Sequence, residues 1–326
     1  MKFDVVVNPV GASGRTLKKF QKLFPLMQES GNEIEVHYST KEFGIGEICH
    51  NLTCDLKEGD ILNLIVVGGD GTLNVALNGM ENISQIRLGY IPAGSGNDLA
   101  KGLGLGSDLA AITREIMNGE IKRTMDIGHV YMDGISDALV TAKKLGRYDE
   151  DGRCYRRFHD STGFGFDAAI CQAADASKAK NMLNKLHLGK LIYLLCAIKL
   201  IFTTRRQNLK VLIDGAESLY RECLLFVAMN NTYEGGGFKF CPDAQNDDGI
   251  LDVCIATTKS NGAFFKIFPS AYDGGHRKYE EIHMGKGKHI EVFAPSHQWV
   301  HTDGEVVCKA MKLEIFTEED QIALLM

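Results

Sequence analysis

The chain of 326 residues is 44% hydrophobic and 24% charged, with only 6 prolines, which excludes a disordered polypeptide and supplies enough apolar material for two domains. A formal net charge of -6 gives no general attraction for a polyanion, so nucleic acid is not an expected partner. Its 9 cysteines are scattered without a C-x-x-C pair and its 10 histidines form no close ligand pattern. That argues against a disulfide framework or a zinc site and for a reducing cytoplasm.

The start, MKFDVVVNP, carries too short an apolar run for a signal peptide and reads as a first buried strand. Phe3 to Val7 runs into Asn8-Pro9-Val10-Gly11-Ala12-Ser13-Gly14, Ile61 to Val67 into Gly68-Gly69-Asp70-Gly71-Thr72, and Leu88 to Ile91 into Pro92-Ala93-Gly94-Ser95-Gly96-Asn97-Asp98. Helix-period segments lie between them, such as Leu17, Phe20, Leu23 and Phe24, then Leu73, Ala76, Leu77 and Met80. This strand, turn and helix order predicts a doubly wound α/β sheet over residues 1–127, with the three glycine-rich turns at the carboxyl ends of strands, where such sheets bind ligands.

From residue 128 the pattern changes to strand-like runs: Gly128 to Met132, Leu209 to Ile213, Cys223 to Met229, Ile250 to Ala256, His289 to Phe293 and Leu313 to Phe316. Helical patterns fall around Ala168 to Ala176 and Lys185 to Phe202. We expect a mainly β domain, a sandwich, over residues 128–309, with a cleft between the domains and residues from about 310–326 packing back on the first. Lys143 to Arg157 reads as an exposed loop. The most apolar stretch, Leu191 to Phe202, is shorter than the roughly 20 residues of a membrane-spanning helix.

A Gly-Gly-Asp-Gly-Thr turn after an apolar strand and before a helix can bring main-chain N-H groups to phosphate oxygens, and glycine there permits conformations barred to other residues. The same dipeptides also make ordinary tight turns. Together, the successive motifs make the case: N-P-x-x-x-x-G at Asn8 to Gly14, G-G-D-G-T-L-N at Gly68 to Asn74, P-x-G-S-x-N-D at Pro92 to Asp98, Gly163 to Asp167, Gly235-Gly236-Gly237, Asp248 to Asp252, and Asp303-Gly304-Glu305. In this order and over nearly the whole chain, the sequence resembles the diacylglycerol kinase catalytic superfamily, which includes bacterial lipid kinases, sphingosine kinases and ceramide kinases.

The resemblance implies an ATP-dependent lipid kinase, most naturally a diacylglycerol kinase, with Mg2+. It implies ATP contacts from Thr40, from Val66, Val67, Gly68, Gly69, Asp70, Gly71 and Thr72, and from Ser95. Asn8 and Gly14 would shape the adenine side, and Asn97 and Asp98 would brace the far wall. On its own, Thr40 reads as a strand-end hydroxyl capping the next helix. Asp70 is placed to act through a metal. A second, structural Mg2+ is implied at the Asp248 carboxylate and the carbonyls of Gln245 and Ile250, a segment that otherwise reads as a polar hairpin loop. Glu305 is the implied general base, and the division of that role with Asp70 stays open. Val75 stands where the family commonly has Glu, and Ser95 replaces the more usual Thr.

Lys178 to Arg206 surrounds the apolar stretch with basic residues, so it reads equally as a helix lying on an anionic membrane surface or as one packed on the β domain. A lipid substrate met by peripheral membrane contact is the expected partner, with a homodimer as a further option. An NAD kinase-type enzyme and a catalytically silent nucleotide-binding protein are the alternatives.

Overall fold

The structure, a computed structural model, describes residues 1–136, 147–148, 152–177, 189–258 and 260–326. They form two compact units, Met1–Ile127 with Glu318–Met326, and Gly128–Thr317.

In the first unit the strands β1 (Lys2–Val7), β2 (Glu33–Tyr38), β3 (Leu62–Gly68) and β4 (Ile86–Pro92) run parallel in the order β4-β3-β1-β2, and Ala323 and Leu324 near the chain end pair parallel with β4. Around them lie α1 (Gly11–Glu29), α2 (Ile45–Thr53), α3 (Asp70–Gly79), α4 (Asp98–Gly102) and α5 (Leu109–Asn118). Successive side chains of a strand point to opposite faces. Val6, Leu64, Val66 and Leu88 therefore pack with Ile48, Leu73 and Leu77 of α2 and α3, while Val5, Val7, Ile65 and Val67 pack with Phe20, Met27 and Ile116 of α1 and α5. With both faces covered, the sheet is doubly wound as the sequence predicts. The edge strand β2 alternates Glu33-Ile34-Glu35-Val36 and is only half-buried, so it lacks the apolar run that marks the other strands.

The second unit takes up the end of β5 (Ile121–Asp133), followed by β6 (Arg147–Tyr148), β7 (Cys154–Phe158), β8 (Ser161–Gly165), α6 (Phe166–Ala176), α7 (Gly189–Leu200), β9 (Gln207–Ile213), β10 (Ala216–Met229), β11 (Leu251–Thr257), α8 (Asn261–Ile267), β12 (Ile282–Gly287), β13 (His289–Thr302) and most of β14 (Glu305–Leu325). The strand order β12-β11-β10-β8-β13-β14 is antiparallel throughout, and β9 pairs with both β10 and β13. Phe158, Phe164, Phe226, Val253, Val292 and Ile315 fill its main core. Phe166, Ile170, Ala197, Ile201 and Phe264 of the helices α6, α7 and α8 and their flanks form a second cluster with Leu224.

One expectation changes. The part of Lys143 to Arg157 that falls on residues 143–146 and 149–151 lies outside the described residues, but Cys154 to Arg157 belong to β7 and not to an exposed loop. Cys154, Arg156 and Phe158 alternate inward, and the buried Arg156 donates from Nε to Thr302 Oγ1 at 3.2 Å. A charged residue counted as surface is here a satisfied core residue. Residues 178–188 of the basic segment also lie outside the described residues. Further along, α7 and its end have two characters: Ala197 and Ile201 are buried, while Leu195, Ile198 and Phe202 are exposed.

Helices α2 and α3 cross at glycine. A Cβ on Gly79 would stand 2.1 Å from the Gly46 carbonyl oxygen, and main chain cannot yield as a side chain can. We expect Gly79→Ala to destabilise the protein by about 1–3 kcal/mol despite alanine's better helix propensity. Chemical denaturation checks this, and an unchanged or raised midpoint would show that α2 moves aside freely.

Candidate active site

Three turns meet at the carboxyl ends of the parallel strands in the first unit. The Ala93 N-H donates to Gly68 O at 2.7 Å, tying the turn after β4 to the turn after β3. Asn97 donates from Nδ2 to Pro92 O at 3.1 Å and Gly94 O at 3.4 Å, and Asn8 donates to Thr72 Oγ1 at 3.3 Å. Tyr90 OH donates to Asp70 Oδ1 at 3.4 Å, and the other carboxylate oxygen of Asp70 lies against Gly96.

The glycines of this junction differ in purpose from the expectation. Gly69 has φ -100, so no left-handed conformation is needed. Its role is spatial: a Cβ on Gly94 would lie 2.4 Å from Gly69 Cα, and one on Gly68 would lie 2.4 Å from Thr72 Cβ. Backbone strain sits instead in the first turn, where Ala12, Ser13 and Gly14 have φ 48, 60 and 81. Non-glycine residues rarely adopt this geometry without a functional or packing demand.

Of the sequence-predicted residues, Asn8, Gly68, Gly69, Asp70, Thr72, Asn97 and the intervening Gly71 share this junction, with Gly14 and exposed Ser95 on its turns. Val66 and Val67 bury their side chains in the two cores, so only their main chain is available to a ligand. Asp98 is buried and pairs with Lys101 at 2.6 Å. Thr40, at the end of β2, accepts the N-H groups of Glu42 and Phe43; the N-cap of α2 is Gly44, so Thr40 closes a turn and does not cap the helix. Val75 packs beside Gly46 on α2.

Lys19, absent from the sequence reading, donates to Ala93 O at 3.1 Å, and burial followed by the nearby Arg15 lowers its pKa. Nothing in a helical Lys marks it in sequence.

In the second unit Asp303 and Gly304 form the two-residue turn between β13 and β14, with φ 50 and 79, as the Asp-Gly dipeptide predicts. Asp303 does more than turn the chain. Its carboxylate accepts the main-chain N-H groups of His159, Asp160 and Ser161 at 3.1, 2.8 and 3.0 Å. The half-buried Glu305 follows on β14.

Behind this turn lies a constellation that sequence alone does not show. His301 Nε2 is 2.8 Å from Asp167 Oδ2 and 3.1 Å from Glu234 Oε1. Asp167 comes from the first turn of α6, and Glu234 from the residue before Gly235-Gly236-Gly237, whose φ values are 60, 87 and 121. Gly163 has to be glycine, since a Cβ there would lie 1.7 Å from Asp167 Oδ2 and 2.3 Å from His301 Nε2. Asp167 and Glu234 line an apolar cavity of about 270 Å³ walled by Phe166, Ile170, Leu224, Phe240, Phe264 and Phe268.

Burial opposes charge on His301, but Asp167 and then Glu234 outweigh it and raise the imidazole's pKa to about 10. Burial raises the pKa of Glu234, against the pull of His301 and of nearby Ser161. The Gly304 N-H also points at His301 Nδ1, at 3.1 Å, a contact that needs a lone pair there. Such a neutral hydrogen bond contributes about 1 kcal/mol, whereas leaving buried carboxylates without their counter-charge costs about 3–5 kcal/mol. The Gly304 contact thus opposes the rise, and the two carboxylates on Nε2 favour it.

Hard oxygen donors suited to Mg2+ occur in both units. Asp70 stands in the first-unit junction. In the second, Asp248 uses Oδ1 to accept the Ile250 N-H at 3.1 Å, and Asp252 nearby keeps a buried Oδ2 without a hydrogen bond while Lys286 holds its Oδ1 at 2.9 Å. Burial raises the Asp252 pKa, Lys286 opposes this, and Asp248 and Asp243 add to it. An orphaned carboxylate oxygen beside further acids fits a divalent cation. Gln245 is exposed on the same loop.

A doubly wound unit with a glycine-bound junction at its strand ends is thus followed by an antiparallel β unit. The description Diacylglycerol kinase catalytic domain matches residues 2–130, and YegS C-terminal NAD kinase beta sandwich-like domain matches residues 161–316. Over these two stretches the chain is similar to the diacylglycerol kinases. It is 27% identical to a diacylglycerol kinase of Mycobacterium tuberculosis over 75% of this chain and 71% of that protein. It is 26% identical to one of Bacillus subtilis over 92% and 88%. A solved chain from Bacillus anthracis str. Sterne, described as a diacylglycerol kinase, shares the fold with TM-score 0.64 at 17% identity, covering 99% of this chain and 96% of its own. Another from that strain reaches 0.71 at 20% identity with the same coverage. Among the described residues no helix is long and apolar enough to cross a membrane.

A folded pKa of about 10 against an ordinary 6.5 means that the His301 contribution to stability is complete below pH 6.5 and is lost as pH rises toward 10. Urea midpoints measured across that window should fall for the wild type and fall less for His301→Gln. Parallel slopes for both proteins would show that His301 carries no charge in the fold.

Proposed function

We propose that the protein transfers the γ-phosphoryl group of ATP to the hydroxyl of a lipid alcohol. The relatives' names put diacylglycerol, giving phosphatidic acid, first among acceptors to test. The observation that carries the lipid acceptor is the apolar cavity of the second unit, whose polar side is made by Asp167 and Glu234. A water-soluble acceptor has no use for a wall of phenylalanines.

On this reading ATP rests its phosphates at the junction of the three first-unit turns, against the N-terminal end of α3. Thr40, the main chain from Val66 to Thr72, Ser95, Asn8, Gly14, Asn97 and Asp98 surround it. Mg2+ would neutralise charge on the phosphates, with Asp70 as its first-unit ligand and the Asp248 loop as a second, structural holder. The bond between the γ-phosphorus and its bridging oxygen breaks as the acceptor oxygen bonds to phosphorus, leaving ADP. The acceptor's proton passes to Glu305 as that bond forms.

Glu305 lies close enough to Cys171, on the cavity wall, to help raise that thiol's pKa, after burial, Asp167, Glu234 and Asp175. The proposed base and the cavity therefore belong to one neighbourhood. Peripheral membrane contact suits the exposed row Leu195, Ile198 and Phe202, with Phe265 against Phe202 at 6.0 Å and exposed Lys199 and Arg205 alongside.

Labelled ATP offered with a panel of lipid alcohols, and with NAD in parallel, tests the reading. We expect phosphate on a lipid and none on NAD. Asp70→Ala and Glu305→Gln should each lose about 100-fold or more in rate. Chelation with EDTA should abolish turnover and added Mg2+ should restore it. Transfer to NAD, or ATP binding without transfer to any lipid, would overturn the proposal in favour of the two alternatives.

A second measurement concerns the membrane face. Phe202→Ser combined with Phe265→Ser should weaken sedimentation with anionic vesicles while leaving ATP binding intact. Equal sedimentation of variant and wild type would place membrane contact elsewhere.

A further inference from the structure

Among the described residues of the first-unit helices, three threonines are fully buried: Thr16 in α1, Thr53 in α2 and Thr113 in α5. A buried helical threonine can give its hydroxyl to the carbonyl one turn back. Thr53 does so to Cys49 O and Thr113 to Leu109 O, each at 2.7 Å. Thr16 does not, and its Oγ1 is buried without a hydrogen bond.

The carbonyl one turn before Thr16 is that of Ala12, the first of three residues in the left-handed region, with φ 48 and ψ 39. Ser13 and Gly14 continue that turn with φ 60 and 81. In alanine and serine such a backbone is costly. The Ala12 carbonyl is taken instead by Arg15, whose Nε donates to it at 2.9 Å. The start of α1 thus combines strained residues with an unserved hydroxyl, and one change relieves both. Right-handed dihedrals at residues 12–14 would extend the helix back by a turn and bring Ala12 O to Thr16.

What the left-handed turn provides is a brace for Arg15. With Nε on Ala12 O, and with no ion pair among the described residues, the guanidinium keeps its other N-H donors for an anion. Arg15 also stands beside the junction of the three turns. It is a cause, after burial, of the lowered pKa of Lys19, and Lys19 donates to Ala93 O of that junction at 3.1 Å.

We propose that the start of α1 is a two-state element: right-handed from residue 12 onward in the free protein, and left-handed when an anion at the junction draws in Arg15, which then holds the Ala12 carbonyl. The structure shows the left-handed state. This rests on the reading that ATP phosphates lie at the junction, and adds that part of their binding free energy goes into turning the helix start, which lowers the observed affinity.

The test is calorimetric binding of MgATP, and separately of tripolyphosphate, to the full chain, with thermal unfolding of each ligand-free variant. Thr16→Val removes a hydrogen bond that only the right-handed state makes. It should bind MgATP about fivefold more tightly than the wild type and unfold at a lower temperature. Thr16→Ser keeps the hydroxyl and should bind as the wild type does. Ala12→Gly eases the left-handed turn and weakens the helix, so binding should tighten by about tenfold. That variant decides alone should Thr16→Val not fold.

Unchanged or weaker binding in either variant would overturn the proposal, as expected of a single-state turn whose Thr16 hydroxyl is served by a buried water. Tripolyphosphate binding without MgATP binding would overturn the kinase reading alone, and the same variants measured with tripolyphosphate would then decide the two-state turn. If neither ligand binds the wild type, both readings fall.

Discussion

The first unit is organised by a contact between two pieces of main chain. The turns after β3 and β4 approach until Gly69 and Gly94 touch through their Cα atoms, and the Ala93 N-H closes on Gly68 O at 2.7 Å. Neither position tolerates a side chain, so the turns form one surface of peptide groups at the strand ends. Asp70, Thr72, Asn8 and Asn97 are then fixed relative to one another by hydrogen bonds and not by their own packing. Positioning of this kind suits phosphoryl transfer, which asks for charge complementarity more than for covalent chemistry.

The second unit is organised by burial of charge. His301, Asp167 and Glu234 come from β13, α6 and the loop of three glycines, and burial makes each group depend on the others. An isolated ion there would cost several kcal/mol, so the elements that carry the trio are held together by it. Two of its members, Asp167 and Glu234, also line the apolar cavity, so the clasp borders that cavity as well.

Much of this was legible in the sequence where burial is two-sided. Val5 to Val7 and Leu64 to Val67 are apolar on both faces, and such runs announce central parallel strands. The turns were legible because Asp-Gly and Gly-Gly have few uses. Strands with one polar face were not: β2 alternates Glu with apolar residues, and β7 hides an arginine. The trio was illegible for a different reason, since His301 and Asp167 lie 134 residues apart and meet only through antiparallel pairing of β13 with β8. Gly163 was visible as part of a motif, but its physical purpose, making room for the Asp167 to His301 pair, needs coordinates.

Asp303 and Glu305 show how environment separates two acids of one turn. Asp303 accepts three main-chain N-H groups and its side chain is fully shielded, so its lone pairs are committed and its charge is held by amides. Those hydrogen bonds join the start of β8 to the turn. Glu305, two residues on, is half-buried at the start of β14, close to the cavity wall. The aspartate is thus the anchor that holds the hairpin, while the glutamate stays partly open to solvent. Between them the Gly304 N-H donates to His301 Nδ1 at 3.1 Å, which ties the hairpin to the buried trio.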